Sequence, residues 1–124
     1  MNDKFKNTFN QLKDAFASFE DVMKQEKNEY IRDSAIQRFE YTFELTWKLL
    51  KIYLEEKGIK VYAPRDVIKE SFQVGILPDD ITWLNMLETR NQTSHLYKKS
   101  MAEDVYGKLP LYLKLIDNLM KSFE

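Results

Sequence analysis

The chain has 124 residues, with 19 basic and 20 acidic side chains, one histidine and no cysteine. A length of this order favours one domain, residues 1–124, able to bury roughly two-thirds of its unfolded surface. The missing cysteines exclude disulfides and thiolate metal sites, and a formal net charge of −1 excludes a global pull on nucleic acid, so that any polyanion site must be local.

The opening residues 1–10 are polar and mixed in charge, without the apolar core of a signal peptide, and no stretch approaches the ~18 apolar residues of a membrane span. A cytoplasmic protein with no membrane association is the expectation. Phe5, Phe9, Leu12, Phe16, Phe19 and Met23 recur at helical spacing and predict a first helix over residues 3–26, capped by Asn2 or Asp3. Asn28 is the expected cap of a second helix that runs to about Lys57 and stops at Gly58. Two stripes mark it. One holds Ala35, Phe39, Phe43, Trp47, Leu50 and Leu54, the other Tyr41, Leu45, Leu49 and Ile52. A helix apolar on two sides touches more than one neighbour.

Pro64 suits the first position of a short third helix, and Gly75 the residue past its end. After the turn at 76–80, Asp79 or Asp80 caps a fourth helix bearing Ile81, Trp83, Leu84, Met86 and Leu87. The last helix carries Val105, Leu109, Tyr112, Ile116, Leu119 and Phe123, with an early interruption and a kink expected between 106 and 110 because of Gly107 and Pro110. No alternating strand pattern is present. The reading is all-α: an up-and-down four-helix bundle with one additional short helix.

The fourth helix continues into "ETRNQTSHLYKK", residues 88–99. At about 100° per residue, Asn91 and His95 extend the stripe of Leu84 and Leu87, while Arg90 and Tyr97 extend that of Trp83 and Met86. The polar groups are therefore expected to face inward, where each needs a partner. Taken alone, this pattern also fits a satisfied core histidine and an asparagine tying two helices. One histidine without a second ligand motif falls short of a metal set; no metal or cofactor is expected.

The run "WLNMLETRNQTSHLY" resembles the signature of the HEPN superfamily: Arg, a polar residue, a short spacer, then His. It is especially similar to the nucleotidyltransferase substrate-binding proteins, in which the motif extends to a tyrosine two residues after the histidine. "RFEYTFELTWKLLKIYLEEKG" looks like that family's long second helix and "PRDVIKESFQVGIL" its connector, so that the resemblance covers roughly residues 5–120. It implies a helical bundle that dimerises and a minimal nucleotidyltransferase as partner, in a toxin–antitoxin pair. It further implies that Arg90 is a phosphate clamp, Asn91 an orienting residue, His95 a general acid/base of a metal-independent ribonuclease, and Tyr97 the tyrosine to which the partner attaches adenylate.

That chemistry is coherent. RNA brings its own 2′-hydroxyl nucleophile. An imidazole, ordinarily titrating near pH ~6.5, suits proton transfer, and a guanidinium suits the charge on phosphorus. Arg90 and His95 lie about 140° apart on an ideal helix, so a homodimer that shares one cleft between two copies is expected to bring them together. Lys98 and Lys99 either attract a phosphate backbone or solvate a helix end and complement its dipole. Glu88 either holds Asn91, pairs with a cation, or is solvated. Trp47 and Trp83 read as packing residues. Three functions remain open: a partner subunit presenting a substrate, or itself, to the transferase; an active ribonuclease; and a helical adapter without chemistry.

Overall fold

A computed structural model describes all residues, 1–124. It contains five α-helices: α1 (Asp3–Met23), α2 (Glu29–Glu56), α3 (Pro64–Gln73), α4 (Thr82–Gln92) and α5 (Lys99–Ser122), with a 3-10 turn, Thr93–His95, between the last two. There is no strand, and the bundle of four longer helices with one short connector read from the sequence is the fold observed.

Local chemistry accounts for most boundaries. The Asn2 side chain accepts the Phe5 N–H at 2.8 Å, and Asn28 accepts that of Ile31 at 2.8 Å, so each satisfies an amide that a helix start leaves free. Gly58 and Gly75 adopt φ of +81° and +82°, a conformation open to glycine at little cost. Pro64 stands at the start of α3, where its missing N–H is no loss. The Asp80 carboxylate accepts the Thr82 N–H at 2.9 Å at the start of α4, and this bond to a backbone amide lowers its pKa. In contrast to the expected interruption, α5 continues through Gly107 and Pro110. The proline removes one amide donor, so the Tyr106 carbonyl lacks its usual partner, yet the turns on either side hold.

One apolar core runs the length of the bundle, and α2 touches every other helix. This is what its two apolar stripes serve. At the centre, Phe39 is fully buried, stacks on Tyr112 of α5 at 5.4 Å between centroids, and lies 6.1 Å from both Phe19 of α1 and Phe43. The Tyr112 hydroxyl shares a 2.8 Å hydrogen bond with Thr89, which fastens α5 to α4. At one end Phe5, Phe9, Tyr53 and Phe123 form a second aromatic cluster that closes the termini of α1 and α5 over α2.

Candidate functional site

α4 stops at Gln92, earlier than a continuous 3.6-residue pattern implies. The Thr93 hydroxyl donates to the Arg90 carbonyl at 2.7 Å, and the chain tightens into the 3-10 turn. Side-chain bonds of this kind compete with the helical ladder. The change of pitch redirects everything beyond it. His95 is thereby exposed and Tyr97 82% exposed, while Asn91, still within α4, is exposed on the helix itself, so the inward orientation expected for these three is corrected. The apolar residues on the same stripes, Trp83, Met86 and Leu87, are buried as expected. Glu88 is exposed and unpaired, which selects the solvated acid among its three readings.

Arg90 is the motif residue that does turn into the bundle. It is half-buried, and its Nε lies 2.7 Å from a carboxylate oxygen of Glu44 on α2. The N–H is not aligned on that oxygen, so the contact is an ion pair more than a directed hydrogen bond, and it engages Nε alone. The other Glu44 oxygen accepts the Trp47 indole N–H at 3.2 Å. One carboxylate thus spans Arg90 and Trp47. Nothing in the motif itself pointed to Glu44; the available signal was an acid one turn before Trp47 on the apolar helix.

Past the turn, Leu96 packs over the edge of α2 formed by Asp33, Ile36, Gln37 and Glu40, enclosing a shallow cleft of about 190 Å³. Lys98 and Lys99 then begin α5, with Lys98 at the capping position and no side-chain cap. The expectation that these lysines complement a helix C-terminus is therefore overturned. They stand at the positive end of a helix and add to it. Tyr97 immediately precedes this pole.

The first turns of α5 are fastened to α2 by a second group that sequence reasoning missed. Arg32 is only 6% exposed. Its Nε donates to Asp33 at 3.0 Å, and a terminal nitrogen lies 3.6 Å from Glu103. Lys27 donates to the other Glu103 oxygen. The hydrogen bond to Asp33, aided by the negative charges of Glu103 and Glu29, raises the Arg32 pKa above its already high value against the cost of burial. The hydrogen bond from Lys27, with the nearby Arg32 charge, pulls the Glu103 carboxyl below the usual range. The structure thus ties both flanks of the motif to α2, through Arg90–Glu44 and Glu103–Arg32, and leaves Asn91, His95, Tyr97, Lys98 and Lys99 on the surface between them. No three His, Asp or Glu side chains gather as a metal ligand set.

Residues 5–124 match the family model described as nucleotidyltransferase substrate binding protein like. The chain belongs to that family. The HEPN-type resemblance of the motif and its flanks is thereby borne out. A curated family relative from Haemophilus influenzae, named "Probable ribonuclease HepT", is 32% identical over 84 residues. That match covers 64% of this chain and spans only 58% of the relative's length. Among solved structures, a Thermus thermophilus protein superposes with a TM-score of 0.84 at 35% identity, covering 90% of this chain and 97% of its own. A Haemophilus influenzae protein, described as revealing the fold of a substrate binding domain of a nucleotidyltransferase, superposes with a TM-score of 0.81 at 27% identity, covering 91% and 96%. No helix of this nucleotidyltransferase substrate binding protein like chain is long and apolar enough to cross a membrane.

Proposed function

We propose that the chain is the substrate-binding partner subunit of a small nucleotidyltransferase, in a cytoplasmic toxin–antitoxin pair, and that Tyr97 is the acceptor of adenylate. The observation that carries this reading is the Tyr97 side chain, 82% exposed and directly before the positive end of α5 with Lys98 and Lys99. In the transfer, the phenol oxygen attacks the α-phosphorus of ATP, the bond to the β-phosphate oxygen breaks, pyrophosphate leaves, and the phenolic proton passes to solvent or to a base of the transferase. The helix pole and the two lysines favour the negative charge that the product then carries. Family membership and the Haemophilus neighbour described as a nucleotidyltransferase substrate binding domain support the partner.

The test is to incubate the purified chain with ATP and the transferase encoded next to it, then weigh the intact protein. The expected result is addition of one adenylate to the wild type and none to Tyr97→Phe. Equal addition to both, or none to either, rejects the reading.

A second reading is a metal-independent ribonuclease active as a homodimer, of which the curated relative's name supports the ribonuclease part alone. In it Arg90 clamps phosphate through the terminal nitrogens that Glu44 leaves free, Asn91 orients, and His95 moves the proton. The exposure of Asn91 and His95 suits a cleft completed by a second copy or by RNA. Expression of the chain without its partner should then arrest growth, and His95→Ala should relieve the arrest.

A further inference from the structure

The shallow cleft on α2 opens one residue away from the exposed tyrosine. It holds about 190 Å³ and is bounded by Asp33, Ile36, Gln37, Glu40 and Leu96. The four α2 residues share one face of the helix at spacings of 3, 1 and 3, so that Asp33 and Glu40 stand about 10 Å apart along its axis with Ile36 between them. Ile36 is buried and Leu96 half-buried, which makes the middle of the cleft apolar. Its two ends are acidic. Arg32 engages one Asp33 oxygen and leaves that side chain 61% exposed. Glu40 is half-buried and forms no ion pair with any cation of the chain. Lys98 and Lys99 follow Leu96 closely in sequence but do not line the cleft. Leu96 joins the cleft to the motif, because it is the half-buried residue between the exposed His95 and Tyr97.

We propose that this cleft receives one long cationic side chain, a lysine or an arginine, from the enzyme that modifies Tyr97. The methylene stem of such a side chain covers apolar surface while its charged head stays with acid and water. Ile36 and Leu96 offer the first, and Glu40 and Asp33 the second. A cleft of about 190 Å³ lies below the range of small-molecule sites, and it suits a single side chain better than a whole ligand or a peptide segment. The charge selects the sign of the visitor. An enzyme that grips the phosphates of ATP is basic around its site, and an acidic rim beside the acceptor complements that surface and sets how it approaches. The choice of occupant rests on the reading of Tyr97 as adenylate acceptor; the shape and charge of the cleft do not.

Calorimetric titration of the full-length chain with the transferase encoded next to it, without ATP, reads the docking, and intact-mass time courses with ATP read the transfer. Glu40→Lys and Gln37→Lys should each weaken binding at least tenfold and raise the KM for the chain as substrate without lowering kcat. Asp79→Lys places the same change of charge as Glu40→Lys on the loop between α3 and α4 and should bind as the wild type does; far-ultraviolet circular dichroism verifies that each variant is helical. Cleft-dependent binding without adenylate on Tyr97 supports the docking and rejects the acceptor. Adenylate on Tyr97 with a KM that Glu40→Lys leaves unchanged keeps the acceptor and overturns the docking. Absence of binding to the wild type, or equal weakening by Asp79→Lys, also overturns it. So does a Glu40→Lys chain that changes its own sedimentation but not its affinity for the transferase, a result that assigns the cleft to a second copy.

Discussion

Arg90 and His95 stand five residues apart in the chain but in different surroundings, one half-buried against Glu44 and the other in solvent. This divides stability from chemistry. Replacing the exposed His95 by Ala or Tyr97 by Phe should move unfolding stability by no more than about 0.5 kcal/mol in urea titrations, so any loss of activity in these variants is not a folding effect. Glu44→Gln breaks a partly exposed pair and should cost no more than about 1 kcal/mol. Acid should act mainly through other carboxylates. The Glu103 and Asp80 pKa values are lowered in the folded state, so the folded protein holds these groups ionised more readily than the unfolded chain does. Their contribution is complete above the unfolded pKa values and is lost as pH falls through the folded ones. Stability should therefore decline from about pH 4.5 downward, the ordinary glutamate value, and Glu103→Gln should flatten that decline in urea midpoints measured between pH 7 and 3. The raised pKa of Arg32 acts only far above neutrality and should leave this range untouched.

At the scale of elements, the apolar periodicities that delimit α1, α2 and the second half of α5 were legible because each stripe meets a real neighbour. The caps were legible because Asn2, Asn28, Pro64, Gly58 and Gly75 each solve a local backbone problem that the sequence alone exposes. The motif's orientation was not legible. For His95 and Tyr97 it depended on α4 yielding to a 3-10 turn at Thr93, a competition between one hydroxyl and the backbone that a helical wheel cannot represent. The partners of Arg90 and Glu103 were hidden for another reason: Glu44 and Arg32 lie tens of residues away on a helix whose pattern speaks only of its apolar faces. Gly58→Ala forces a side chain into a left-handed conformation and should cost about 1–2 kcal/mol at the end of α2. Phe39→Ala removes the ring where α1, α2 and α5 meet and should cost about 3–5 kcal/mol. Thermal or urea unfolding followed by circular dichroism measures both.

For the whole molecule, the ribonuclease reading makes a prediction about assembly. If one copy's Arg90 works with the other copy's His95, Arg90→Ala and His95→Ala chains are each inactive alone, while their mixture regains part of the wild-type cleavage through one intact composite site. Mixing the purified variants and assaying RNA cleavage checks this, and a site built within one copy predicts no recovery. Growth assays and intact-mass measurements on the same variants separate the ribonuclease from the adenylate acceptor without any change of protein.

If Tyr97 is the adenylate acceptor, as proposed, the two anchors on α2 bear on how an enzyme meets it. With Arg90 moored to Glu44 and Glu103 to Arg32, Asn91–Lys98 is a short leash whose travel is limited. An incoming active site must come to the phenol where the bundle displays it, reading the surrounding surface as well as the tyrosine. A synthetic peptide spanning residues 88–99 has the same letters and no moorings, and the transferase should modify it far more slowly than the folded chain.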